Sequence, residues 1–446
     1  MIRGARIHAR LAAGLLIGSV CALLLIAGCG RLPSDPLAAH AQRAIESGRA
    51  SVVDGAPQGV VMMVKPGASA YQVAAQYGGT VVDEVPALGL YRIALQAGDD
   101  VARCAQAMMG DQRVSNAEVN GLARLAECRQ SSVAFSESFR NWRDVSDQGA
   151  LARLRAPRAQ TAASGIGVLV AILDTGIMFD HPALVGHLAL PGIESGVLTS
   201  PGAERAQQLD TNLDGFVDGA LGHGTHVAGI VLAVAPRARL LPVRVLDSDG
   251  VGTAFDVANG IVQAVQRGAQ VINMSLGMPS PSTAVESAIR YARDAGTVVV
   301  APTGNDHVGR PEFPASMPEV VCVAGLDSVD VHSSFTNFGT GTDLAAPSTG
   351  ILSTYYGGGY ARWSGTSMAA PFVSGTAALL YGLSLPGGPG VPARVESFLQ
   401  AGAFSLSAID PAYAAVLGAG RVDAAASVNA LNRPLSSVDP DQQRWR

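Results

Sequence analysis

Lysine is almost absent from this chain. Lys65 is the only one among 446 residues, and the rest of its 31 basic side chains are arginines. So lopsided a choice reads as genome base composition rather than as an arginine-built binding surface, and a net charge of −5 gives no footing for nucleic acid. Charged residues are scarce at 15%, against 48% hydrophobic, which leaves ample material for a large buried core. The five cysteines and eight histidines show no metal-type spacing. Three chemistries are excluded by missing partners. His223 and His226 stand three apart with no Glu between them, so the zinc-binding H-E-x-x-H helix is absent. Asp174-Thr175-Gly176 has no second copy, so no pair of such carboxylates can share a proton. Ser367 is not framed as G-x-S-x-G, which argues against a nucleophile elbow.

What the chain does hold is a small-residue turn, Ser364-Gly365-Thr366-Ser367-Met368-Ala369-Ala370-Pro371, followed by the apolar run Phe372 to Leu380. A serine at the mouth of a helix lies near backbone N–H groups that lack intrahelical partners and favour negative charge. Gly365, Ala369 and Ala370 keep the approach open to another backbone. Taken alone, the same stretch is an ordinary helix cap. Two other stretches change its meaning. Val168 to Leu173 is continuously apolar and predicts a buried parallel strand that delivers the Asp174 carboxylate at its C-terminal edge. Ligands and catalytic groups gather at that edge in open α/β sheets. Gly222-His223-Gly224-Thr225-His226-Val227-Ala228-Gly229 sets His223 between glycines at the start of an apolar helix reaching to about Val234. Asp, His, Ser is one of three unrelated chain orders for the same triad chemistry. Further on, Leu240–Leu246, Val271–Met274 and Val298–Ala301 read as buried strands and Asp256–Arg267 as a helix, an alternation that predicts a parallel sheet covered on both faces.

The three stretches resemble the active-site motifs of the subtilisin-like serine proteases (subtilases), in that family's order, and the resemblance runs from about Gly149 to Ala430. It implies an α/β fold: a three-layer subtilisin-like domain with a mostly parallel sheet. It also implies roles. Ser367 would be the nucleophile, His223 the base and Asp174 its orienting carboxylate. Asn305, in Pro302-Thr303-Gly304-Asn305-Asp306, would donate to the oxyanion together with the backbone N–H of Ser367. Ser275-Leu276-Gly277 and Gly304 would line the substrate, the former by pairing with its backbone as an added strand. Pro302 and Thr303 depart from the small alanines usual in relatives, which leaves the primary specificity pocket open, and Asp306 lies near where relatives tune that pocket's charge.

At the front, Arg3, Arg6 and Arg10 precede the uncharged apolar run Leu11 to Gly28, the pattern of an export signal. Ile26-Ala27-Gly28-Cys29 resembles the lipobox of bacterial lipoproteins, which implies loss of residues 1–28 and a lipid on Cys29. An ordinary signal peptide with an incidental cysteine is the competing reading. Residues 29–58 read as a tether. Residues 59–120 carry the order βαββαβ, a ferredoxin-like pattern that resembles the inhibitory propeptide domain of subtilases. Residues 121–148 form a linker and processing region, 149–430 the catalytic domain, and 431–446 a polar tail expected to be disordered. Export would permit a Cys104–Cys128 disulfide, whereas Cys322 sits in an apolar strand as a small core residue.

Asp210, Asn212, Asp214 and Asp218 occupy positions 1, 3, 5 and 9 of a calcium loop with Gly215 at 6, but Leu221 stands where the bidentate Glu belongs. A solvated acidic turn is the rival reading. The chemistry itself requires no cofactor; a structural calcium is the one candidate. The expected protein is thus an exported endopeptidase, lipid-anchored to a bacterial envelope. It would act on proteins and peptides, with its own propeptide as intramolecular inhibitor. Activity should fall on acidification as His223 takes up a proton. The competing reading from another class is a lipoprotein whose propeptide permanently occupies the cleft, serving as a binding or regulatory module.

Overall fold

Along the strand Leu169–Asp174, Val170 and Ile172 join one core while Ala171 and Leu173 join another, and all four are fully buried. Side chains of a strand alternate between faces, so two cores mean a sheet covered on both sides. The computed structural model describes residues 59–125, 135–136, 140–194, 202–383 and 388–431. In it, that strand lies inside a sheet of order Leu344–Pro347, Val321–Leu326, Val298–Pro302, Val271–Met274, Leu169–Asp174, Arg239–Arg244 and the two-residue edge Ile193–Glu194. Every neighbouring pair in it is parallel. Helices His223–Val234, Thr366–Tyr381 and Ala424–Leu431 cover one face; Ala254–Gln266 and Thr283–Asp294 cover the other. The first two of these are buried along their whole length, which explains why their sequences carry no amphipathic stripe.

The small domain has the predicted order. Strands Gly59–Val64, Thr80–Val85, Leu90–Ala94 and Val114–Val119 alternate with helices Ala70–Gln76 and Val101–Met109. The strands pair antiparallel in the spatial order second, third, first, fourth. Val60 and Met62 pack with Ile93 and Met108 in the domain's own core, whereas Val61, Val85 and Leu90 pack into the core of the larger domain. The domain therefore spends both faces of its sheet. Its last strand also caps a helix of the larger domain: the Glu118 carboxylate accepts from the Ser282 hydroxyl at 2.6 Å and from the N–H groups of Thr283 and Ala284 at 3.0 and 3.2 Å. Asn120 accepts from the Phe255 N–H at 3.1 Å. These are first-turn donors that no helix satisfies by itself.

In sequence, Gln148–Ala159 reads as one helix leading into the strand Leu169–Asp174, but the structure breaks it into two short pieces, Gly149–Arg153 and Ala156–Ala159, preceded by a separate turn of helix at Trp142–Ser146. Pro157 has no N–H and its ring would press on the carbonyl four residues back, so the chain resets at Arg155, which takes φ 53°. Cys322 is buried in its strand, in keeping with a core role. The export signal, Cys29, the tether, Cys128 and residues 432–446 lie outside the described residues. Among the described residues no helix is long and apolar enough to cross a membrane.

Candidate active site

Asp174 ends its strand fully buried. Its Oδ1 accepts the Thr175 N–H at 2.7 Å and lies 2.8 Å from His223 Nδ1. A carboxylate at Nδ1 keeps that nitrogen protonated and leaves Nε2 as the basic one. His223 opens the helix His223–Val234, and the glycines around it are sterically required. A Cβ at Gly222, whose φ is 95°, would meet the Tyr355 ring at 2.3 Å; one at Gly224 would lie 2.1 Å from the Gly176 carbonyl oxygen and 3.1 Å from Asp174 Cβ. Only glycine lets this helix end come so close to the Asp174 turn. Trp363 sits edge-on to His223 with ring centres 5.1 Å apart.

The neighbouring His226 has a different task. Its Nε2 lies 3.0 and 3.1 Å from the carbonyls of Ile351 and Ala361, pinning the strands Ile351–Thr354 and Tyr360–Trp363 to the helix. Burial, reinforced by the charge of His223, drives its pKa down to about 3, so it stays neutral.

Ser367 lies in the first turn of Thr366–Tyr381, fully buried, with Oγ 3.3 Å from the Ser275 carbonyl. Pro371 sits four residues on and cannot donate to the Ser367 carbonyl, so the Ser275 hydroxyl fills that position at 2.9 Å. A proline inside the helix thus becomes the reason why the Ser367 backbone is tied to Ser275-Leu276-Gly277. Asn305 Oδ1 accepts the Thr366 N–H at 2.9 Å. A backbone N–H can only donate, which settles the orientation of the amide and places its NH₂ on the other side as a donor. The structure therefore joins Asp174 to His223, Ser275 to Ser367, and Asn305 to the residue before Ser367.

A segment of the chain itself runs through the expected substrate path. Leu122–Arg124 pairs antiparallel with Val251–Thr253, and Arg124 exchanges two hydrogen bonds with Gly277, at 2.9 and 2.8 Å. Around the adjoining wall, a Cβ at Gly277 would lie 2.3 Å from Glu312 Oε2, and one at Gly304 2.9 Å from Glu312 Cγ. The carboxylate against the glycine wall is thus Glu312, while Asp306 is exposed. Glu312 carries no motif around it, so only the fold could find it.

A calcium site at Asp210, Asn212, Asp214 and Asp218 is not shown among the described residues. Asp218 spends its oxygens on the Gln207 and Gln208 N–H groups, at 3.0 and 3.1 Å, and on the Ser248 hydroxyl. Asp214 accepts the Phe216 N–H and Asn212 that of Asp214, each at 2.9 Å. These are turn-closing bonds. Among the described residues, no group of three or more His, Cys, Asp or Glu converges to hold a metal, Asp210 included.

With this geometry in place, the relatives agree. Residues 165–403 match the subtilase family model and residues 44–120 that of the fervidolysin N-terminal prodomain. Thermitase from Thermoactinomyces vulgaris is 40% identical over 238 residues, 51% of this chain and 80% of thermitase. Subtilisin Savinase from Lederbergia lenta is 40% identical over 240 residues, 52% of this chain and 82% of its own. In fold the chain resembles fervidolysin from Fervidobacterium pennivorans, described as a keratinolytic enzyme related to subtilisin. The TM-score is 0.67 at 24% identity, covering 87% of this chain and 63% of that one. The chain belongs to the subtilase family. It is a subtilisin-like serine endopeptidase with an N-terminal fervidolysin-like prodomain.

Proposed function

We propose that the chain is made as a self-inhibited precursor, exported and anchored through a lipid on Cys29, that frees its own cleft by one cut and then hydrolyses proteins outside the cytoplasm. In the proposed mechanism Ser367 Oγ attacks the peptide carbonyl while its proton passes to His223 Nε2, and Asp174 stabilises the resulting imidazolium. Asn305 and the Ser367 N–H receive the oxyanion. Collapse expels the amine, which takes the proton from His223; water then resolves the acyl-serine by the same groups in reverse.

The observation that carries this reading is the pairing of Arg124 with Gly277. In an antiparallel ladder each step forward on one strand is a step back on the other. Gly277 stands two residues past Ser275, the residue bonded to Ser367, so a strand carried two residues beyond Arg124 in that register would reach the nucleophile. The proposed self-processing cut is therefore the Ala126–Glu127 bond. N-terminal sequencing of the purified, incubated protein is expected to read Glu127 first.

The permanently blocked reading draws on a specific observation too: Asp174, His223 and Ser367 are each 0% exposed while Leu122–Arg124 is seated. A chain that stays full length on long incubation and cleaves no added casein would favour it. For the anchor, growth with labelled palmitate is expected to mark the wild type and not Cys29→Ser. Equal labelling of both would sink the lipidation proposal.

A further inference from the structure

A second buried carboxylate adjoins the catalytic pair, and no motif announces it. Glu204 is 6% exposed and belongs to a segment held on several sides. Its N–H donates to the Ile177 carbonyl at 3.0 Å, while the Ile177 N–H donates to Gly202 at the same distance. The carbonyl of Ala203 accepts from the fully buried Arg244 at 3.1 Å. A Cβ at Gly176 would lie 2.8 Å from the Ala203 carbonyl carbon and from the Glu204 nitrogen, so the Asp174-Thr175-Gly176 turn rests directly on this segment.

The carboxylate has four partners. Oε1 accepts from the Thr175 hydroxyl at 2.5 Å and the Gly222 N–H at 2.8 Å; Oε2 accepts from the Thr225 N–H at 3.2 Å and from the Thr225 hydroxyl. Thr175 is the residue after Asp174, and its hydroxyl also receives the Gly224 N–H at 3.0 Å. Gly222 and Thr225 flank His223 at the start of its helix. Two of the four partners are backbone N–H groups that can only donate, and an ionised carboxylate, which only accepts, suits all four. The helix N-terminus favours the same charge.

We propose that Glu204 is a positioning residue of this protease. By clamping Thr175 to the first turn of the His223 helix, its carboxylate holds the Asp174–His223 pair in register and supplies a second negative charge beside the imidazole. The proposal rests on the protease reading of the site. The groups facing Glu204 are Asp174, whose charge opposes its ionisation, His223 across the Thr175 bridge, Tyr355, and Arg244 behind Ala203. Burial is the main cause that raises the Glu204 carboxyl to about 6. The sign follows. Glu204 is ionised above that value and takes up a proton as pH falls through it, which turns one of its acceptor positions into a donor facing the Thr175, Gly222 and Thr225 donors.

The test uses the full chain with a chromogenic peptide substrate between pH 5 and 8. The wild-type acid limb is expected to be steeper than one proton, with Glu204→Gln reducing it to a single-proton slope. Glu204→Gln should also lower kcat on the order of 10- to 100-fold, the scale of a misaligned catalytic group, with KM within about twofold. Glu204→Asp, too short to reach all four donors, should recover part of the loss. A readout free of turnover is the downfield proton signal of His223 Nδ1–H in a Ser367→Ala background, expected to shift or broaden with Glu204→Gln. An unchanged kcat, slope and proton signal in a folded Glu204→Gln protein would overturn the proposal. If Glu204→Gln does not fold, Thr175→Val, which cuts the same bridge, must move the signal or the proposal falls. Should the wild type prove inactive, the protease reading fails by itself, and the proton signal still decides whether Glu204 positions the pair.

Discussion

Ser367→Ala is expected to abolish hydrolysis, with a loss of about 10⁶ in kcat, the scale reached by removing the nucleophile of a subtilisin. It should also keep the chain full length. Both outcomes follow from one geometry. Ser367 is the group bonded to Ser275, and Arg124 is paired with Gly277, two residues past Ser275. If the same hydroxyl attacks external proteins and the prodomain junction, one substitution removes both reactions. Intact mass and a casein assay of the wild type and the variant, prepared side by side, check this. A Ser367→Ala protein that is still shortened at Glu127 would assign the cut to another protease. A variant that still digests casein would dismiss Ser367 as nucleophile.

Asn305→Ala is expected to lower kcat by about 10²–10³ with little change in KM, again a scale measured on a subtilisin. Charge on the carbonyl oxygen develops only in the transition state, so a donor aimed at it contributes little to ground-state binding. Asn305 has a second duty, since its Oδ1 holds the Thr366 N–H at 2.9 Å. Asn305→Asp separates the two. It keeps an acceptor for Thr366 and loses the donor, so it should be as impaired as Asn305→Ala in kcat while matching the wild type in thermal unfolding. A near-normal kcat for Asn305→Asp would show that the amide acts only by bracing the Ser367 helix.

Much of the fold was legible because its signals are local. Val170 to Leu173 is apolar without a break, and such a run has one stable place, inside a sheet covered twice. The βαββαβ order of residues 59–119 followed from alternation between short strands and helices. The acidic loop was not legible for a related reason. Acidic residues at alternate positions look the same whether their oxygens turn inward to a cation or outward to their own backbone N–H groups. Here Asp214 and Asp218 accept from N–H groups. The helix expected over residues 148–159 failed at Arg155, where the constraint imposed by Pro157 outweighed the pattern.

By itself the sequence determined the chemistry. A strand end, a helix start and a small-residue turn each place their functional residue through immediate neighbours: Thr175 and Gly176 beside Asp174, glycines around His223, Gly365 and Pro371 around Ser367. Such neighbours can be read without a fold. What only the tertiary structure decided is how these pieces are held together. Glu204 lies 29 residues from Thr175 and 18 from Gly222, in a loop with no periodicity, and becomes part of the centre only when Arg244 and the Asp174 turn close around it. Glu312 reaches Gly277 across 35 residues of chain, and Arg124 reaches the same glycine across 153. Contacts of this kind depend on packing between distant segments, and packing leaves no spacing in the chain to be read.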